Sequence, residues 1–159
     1  MGRKKRCLAM LVAVLGIVSV TIGAAFIGLA VQKNTYVTNE LRQQNVTVGL
    51  TKEQISDGQI VDNIQKAQIA AETIAKHLQN IAPTYNDLMA LNPSGKYDPA
   101  NPNDLKYTQG LNMENSFNIA VLSFGVIQET MATGIALIVI GIAVGTTGFM
   151  LFSLSKKEA

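Results

Sequence analysis

One cysteine, Cys7, and one histidine, His77, stand in 159 residues. A lone cysteine excludes an intrachain disulfide, so any folded domain must hold by packing alone. A lone histidine with no companion His or Cys at ligand spacing offers no zinc site, which wants three or four N or S ligands. No Gly-x-Ser-x-Gly surrounds any serine and no Gly-rich loop is spaced to cradle a phosphate, so neither acyl transfer nor nucleotide chemistry has a recognisable foothold. The residue pattern points to no catalytic residue, cofactor or metal, and the chain reads as a non-enzyme. The formal charge of +2 is too small to suggest nucleic acid.

Charge is also missing locally. Cys7–Val31 and Thr130–Leu154 contain no Asp, Glu, Lys or Arg. A helix needs roughly 20 mostly apolar residues to cross a hydrocarbon core of about 30 Å, and both runs meet that length. The expected fold is an all-α membrane protein, with two transmembrane helices (7–31 and 130–154) flanking a helical extracytoplasmic hairpin domain (32–129). Short tails, 1–6 and 155–159, complete the chain. Arg3, Lys4, Lys5 and Arg6 precede the first run, and Lys156 and Lys157 follow the second. Lys and Arg are retained on the cytoplasmic side. The tails carry a net +5, whereas seven cations against ten acids leave 32–129 at −3. The expectation is therefore a multi-pass plasma-membrane protein with both termini inside and 32–129 outside. A cleavable signal sequence competes for the first run, but its apolar region is only about 7–15 residues long, and this one continues to Val31. Cys7 reads as a free cytoplasmic thiol. Met-Gly-Arg-Lys-Lys-Arg lacks the Ser or Thr of a myristoylation signal.

Between the runs, Gln59–Ala82 has the clearest periodicity. Ile60, Ile64, Ala67, Ala71, Ile74, Leu78 and Ile81 alternate spacings of four and three, one stripe of a helix. Ser56 with Gln59 supplies a capping-box pattern at its start, and Pro83 ends it. Thr51-Lys52-Glu53-Gln54 is a second capping box, opening a single turn that Asp57 or Gly58 closes. Tyr36–Thr38 and Asn45–Val48 read as short extended pieces, and Asn45-Val46-Thr47 matches a glycosylation sequon. A short helix is expected over Thr84–Ala90, then an exposed loop over 92–103, dense in Asn, Pro and Gly. Asp104 is placed to cap a further helix. In it Met113, Phe117, Ala120, Phe124, Ile127 and Met131 form a second stripe, suited to face the first across an antiparallel hairpin; a self-association seam is the alternative. Gln128–Glu129 interrupt the apolar tract before the second run, with Glu129 at the outer interface.

Small residues recur within the runs: Gly16, Ser19, Gly23 and Ala30 in the first, Gly134, Gly141, Gly145 and Gly148 in the second. Gly141 and Gly145 form a GxxxG. Small residues let backbones approach where lipid gives no hydrophobic reward for association, so an internal antiparallel pair is expected first.

The phrases Asn45-Val46-Thr47-Val48, Thr84-Tyr85-Asn86-Asp87-Leu88, Ala120–Val126 and Gly134–Gly141 resemble small actinobacterial two-span membrane proteins, many of which carry the name aromatic ring-opening dioxygenase. The resemblance covers about two-thirds of the chain, from Asn45 onward, and implies two spans around a helical extracytoplasmic domain. Gln128–Thr133 is an insertion relative to that pattern. Ring-opening chemistry needs iron held by several His and carboxylate ligands, which one histidine does not supply. The expected function is a non-enzymatic accessory or structural subunit of a larger integral membrane complex, or a homo-oligomer, in contact with membrane lipid and not with nucleic acid. Its docking residues would be Phe117, Val121, Phe124, Ile127, Gly141 and Gly145. The alternative is an envelope-binding module that recognises a wall polymer, lipid or secreted protein through the 92–103 loop.

The topology predicts that cysteines introduced as Asn45→Cys or Ser94→Cys label with a membrane-impermeant maleimide in intact cells, while Cys7 does not. Labelling of Cys7, or silence at both introduced positions, would refute it.

Overall fold

The computed structural model describes residues 2–157 and is helical, with no strand among those residues. Five helices follow in order: α1 Gly2–Gln44, α2 Lys52–Ser56, α3 Ile64–Ile81, α4 Tyr85–Ala90 and α5 Pro102–Lys157. The chain forms two compact units. One comprises the segments up to Asn34 and from Val126; the other is Thr35–Gly125.

The first unit is a pair of helical segments, and its interior consists of small residues. Ala9, Gly16, Gly23 and Ala30 are buried on α1, and Gly134, Gly141, Gly148 and Ser155 on α5. Each row repeats every seven residues, the period of a left-handed supercoil. Gly16 faces Gly141 and Gly23 faces Gly134, so the segments are antiparallel. A Cβ added to Gly16 would lie 2.7 Å from the Gly141 carbonyl oxygen, and one added to Gly141 would lie 2.7 Å from that of Gly16. No side chain fits such a gap, and the absence of side chains is what permits it. Ser19 Oγ donates to the Leu137 carbonyl at 2.9 Å across the pair. The large apolar residues point the other way: Leu8, Leu11, Val14, Ile17 and Ile22 on α1, and Ile135, Val139, Ile142, Phe149 and Leu151 on α5, are exposed. Only 11 % of the most apolar window of either helix is buried, unlike the core helix of a soluble protein. Both helices are long and apolar enough to cross a membrane.

The second unit buries large residues instead. Ala67, Ala71, Ile74 and Leu78 of the expected α3 stripe are buried, joined by Ala70, while Ile64 and Ile81 are half-buried. α3 packs on α5 at Gly110, where a Cβ would meet Leu78 Cδ2 at 2.6 Å. From α5 come Tyr107, Phe117, Ala120 and Phe124, and from α1 Leu41. The end of α1 is tied in by an ion pair between Arg42 and Asp62 at 3.2 Å, which Lys66 extends at 3.3 Å. Partial burial would raise the Asp62 carboxyl, but hydrogen bonds from Lys66 and Arg42, with their charges, outweigh it and hold the group below the ordinary carboxylate value.

Several local expectations change. Tyr36–Thr38 is helical, because α1 continues to Gln44 and ends only at Asn45, whose φ of 49° is the left-handed conformation that Asn adopts after a helix. Burial of Leu41 outweighs the small helix penalty of Val and Thr there. α3 begins at Ile64, not Gln59: Asn63 is its N-cap and accepts from Lys66 N–H at 3.0 Å, whereas Ser56 closes α2. Ile60 thus precedes the helix. The Thr51 capping box is present, with α2 ending at Asp57 and Gly58 at φ 73°. α4 is capped by Thr84. α5 runs unbroken through Gln128–Glu129, since neither residue costs more than a few tenths of a kcal/mol in a helix. Met113 is exposed and Met131 half-buried, so the second stripe holds only from Phe117 to Ile127.

Ile74→Asp places an unpaired charge in this core and should destabilise the second unit by roughly 3 kcal/mol or more. Gln68→Asp, on the exposed side of α3, should cost less than about 0.5 kcal/mol. Limited proteolysis of the two variants checks this; equal sensitivity would contradict the packing.

Candidate interaction surface

The loop between α4 and α5 is ordered by polar side chains from both ends. Asp104 is fully buried. It sits in the first turn of α5, where a carboxylate also gains from the helix dipole. Its Oδ2 accepts from Asn92 Nδ2 at 2.5 Å and from Asp98 N–H at 2.8 Å. Asn92 Nδ2 also donates to the Lys96 carbonyl at 2.8 Å, and its Oδ1 accepts from Asn101 Nδ2 at 2.7 Å. Asp104 is therefore not the helix cap. α5 begins at Pro102, Asn101 receives the first helical N–H at 3.1 Å, and Asp104 reaches back to fasten the loop. The loop is exposed apart from Asn92 and the half-buried Asn101, with Tyr97 outside and Tyr107 in the core.

Open grooves lie along the helices of the second unit. One, of about 350 Å³, is lined by Leu41, Gln44 and Val46 on one side and by Asn112, Met113, Ser116 and Phe117 on the other. Another, of about 250 Å³, lies between Tyr36, Val37, Glu40 and Leu41 of α1 and Ser116, Ile119, Ala120 and Ser123 of α5. Tyr36 is 61 % exposed, Ile119 63 % and Leu122 69 %. Ile119 and Leu122, three apart, lie on one stripe of α5. A further depression, between α3 and α5, is lined by Ala71, Ala75 and Val121 together with Glu72 and Glu114.

Most of the expected docking residues are used internally. Phe117, Phe124 and Ile127 are buried by the chain itself, so they offer no free surface, and Val121 is half-buried in the α3–α5 depression. Gly141 is closed against Gly16. Gly145 lies beside the seven-residue row: a Cβ there would be 3.7 Å from Gly16 Cα, an ordinary contact. A Cβ on Gly16, however, would run into the Gly145 backbone as well as the Gly141 carbonyl, so Gly16 seats between the two glycines of the GxxxG, and the heptad row and that motif share the close approach. Of the exposed large apolar residues of α5 within the second unit (Leu105, Leu111, Met113, Ile119 and Leu122), Ile119 and Leu122 are the most exposed. Their spacing was visible in the sequence, but a stripe of that kind does not reveal which side the core takes. Tyr36 joins them only because α1 remains helical past the apolar run.

His77 is exposed on α3. No group of three or more His, Cys, Asp or Glu gathers to hold a metal among the described residues. The chain matches no family model, no curated protein and no solved structure.

Gly141→Ala forces a methyl against the Gly16 carbonyl and should destabilise the helix pair by about 1–3 kcal/mol, as overpacking does. Gly145→Ala should be within about 0.5 kcal/mol of the parent. Unfolding of both variants in detergent tests this packing, and equal losses would contradict it.

Proposed function

We propose that this chain is a two-span plasma-membrane protein acting by contact, a non-enzymatic accessory or structural subunit of a larger integral membrane assembly. In this reading both termini are cytoplasmic and residues 32–129 extracytoplasmic, following the cationic flanks and the acidic segment between them. Kinship to small actinobacterial two-span proteins belongs to the same proposal. The observation that carries it is the exposed apolar stripe of Ile119 and Leu122, with Tyr36 across a groove from Ile119. An exposed apolar patch outside the core marks a docking surface, and aromatic residues are enriched in such surfaces. The envelope-binding alternative has one observation in its favour: the loop fastened by Asn92 and Asp104 presents Leu91, 64 % exposed, and Tyr97.

One experiment separates the readings. Photo-crosslinking amino acids placed at Ile119, Leu122, Tyr97 and Gln79 are irradiated in intact cells, and adducts are identified by mass spectrometry. The subunit reading expects adducts to one larger membrane protein from positions 119 and 122 and none from Gln79. Adducts to a second copy of the chain would make it a homo-oligomer. Adducts only from position 97, to wall polymer, lipid or secreted protein, would establish the alternative, and none at 119 or 122 would refute the subunit reading.

A further inference from the structure

Among the described residues, Asp104 Oδ1 is the one buried side-chain polar atom without a hydrogen-bond partner. The residue is fully buried, and its other oxygen, Oδ2, takes both of the bonds that fasten the loop, from Asn92 Nδ2 and Asp98 N–H. No cationic side chain is ion-paired with Asp104 among the described residues. The N-terminal end of α5 offsets part of the carboxylate's charge but supplies no hydrogen bond to Oδ1. Burying a carboxylate oxygen with nothing to bind is costly, and such groups in folded proteins are served by an ordered water or a coordinated cation.

Carboxylates that ligate a metal are themselves held by hydrogen bonds. That is the arrangement here: the two donors on Oδ2 fix the carboxylate and leave Oδ1 as the free ligand. The surrounding loop is rich in oxygen. The Asn92 amide that binds Oδ2 also lies 2.8 Å from the Lys96 carbonyl, and Asp98, whose N–H binds Oδ2, brings a second acid. From Asn92 to Asp104 these two acids stand against Lys96 alone. We infer that Asp104 Oδ1 anchors a calcium ion in this loop, with Asp98, amide and carbonyl oxygens of residues 92–103 and water completing its shell. Calcium takes about six to eight oxygens of these kinds. It therefore needs no gathering of three His, Cys, Asp or Glu side chains, which a zinc or iron centre would want and which the described residues lack. Two carboxylates in a loop place the site at the weak end of calcium affinities, with a Kd of about 0.1–1 mM. The ion would pin the start of α5 to the loop in a chain that has no disulfide to do so. The inference uses neither Ile119 nor Leu122 and stands apart from the docking role.

The test uses the full chain in mild detergent, stripped with chelator and titrated with terbium(III), whose emission is excited through a nearby tyrosine. Tyr107 lies three residues from Asp104 on the same face of α5, and the chain has no tryptophan to confuse the signal. Saturable emission is expected, displaced by calcium at about 0.1–1 mM and by magnesium on the order of tenfold less well, since magnesium sheds its water reluctantly. Asp104→Asn should abolish the emission. Glu72→Gln with Glu114→Gln, acids of the α3–α5 depression, should leave it unchanged. Calcium should also slow endoproteinase Lys-C at Lys96, in the loop, several-fold relative to Lys52, both being exposed. Silence of the parent, emission that survives Asp104→Asn, or emission lost with the two glutamates would each overturn the inference. So would cleavage at Lys96 that is indifferent to calcium, which would leave Oδ1 to water alone. If Asp104→Asn loses helicity, Asp98→Asn decides: it is exposed, and its amide oxygen can still accept from Ala100 N–H. It should weaken calcium several-fold, and an unchanged affinity would overturn the site.

Discussion

Close approach of two backbones is the constraint on which the first unit depends. Gly16 and Gly141, and seven residues away Gly23 and Gly134, face each other with each carbonyl where the other's side chain would be. In water such a seam would be poor, since it buries little apolar area and leaves the large side chains outside. In hydrocarbon the balance reverses. Exposing Leu, Ile and Val costs nothing there, and association relies on dispersion, a few hydrogen bonds and the weak Cα–H···O contacts that glycine pairs permit. The Ser19–Leu137 bond adds one specific point of register. A small-residue interior beneath a large-residue exterior therefore makes sense for a pair of spans and makes little sense for a soluble hairpin.

The second unit obeys the opposite rule. Here Ile74, Leu78, Phe117 and Phe124 are inside, Gln68, Glu72, Lys76 and Gln79 outside, and a polar network around Asp104 replaces any disulfide as the fastening of its longest loop. Burial of a side chain such as Phe or Leu stabilises by about 1.5–3 kcal/mol, so a handful of such residues forms the core of a domain of this size. Gly110 plays a part different from the glycines of the first unit: it makes room for the Leu78 side chain, not for another backbone.

How much of this was legible follows the distance over which each signal acts. The apolar runs, the α3 stripe, the Thr51 capping box and the Pro83 stop are local, and the chain states them directly. The helix over Tyr36–Gln44 was not legible, because β-branched residues argue weakly against helix while Leu41, buried in a distant packing, argues strongly for it. The start of α3 was misplaced because two capping patterns lie seven residues apart, and Ser56 is already committed to α2. The seam of the first unit was half legible. Gly16, Gly23 and Ala30 display the heptad on α1, but on α5 the familiar Gly141–Gly145 pair hides the row that ends at Ser155. That the chain itself buries Phe117, Phe124 and Ile127 was hidden for a related reason. Phe117, Phe124 and Ile127 are conspicuous because they are large and periodic, and a large periodic residue is more often core than surface.

The stripe of Ile119 and Leu122 with Tyr36 is small, one part of the exposed apolar surface of the second unit, and its size bears on the proposed role. Burying Ile119, Leu122 and Tyr36 against a partner would contribute about 2 kcal/mol each, before the cost of association, which takes about 4 kcal/mol or more. Between proteins diffusing freely in three dimensions that surplus is too little for a lasting complex. Proteins held in one bilayer start from a different reference, because confinement supplies the effective concentration that a linker supplies between tethered domains. A patch of three side chains is then sufficient to fix orientation and choice of partner, with the spans providing the encounter. In the proposed reading, the two long apolar helices bring the chain to its assembly and the stripe of Ile119 and Leu122 selects where it docks.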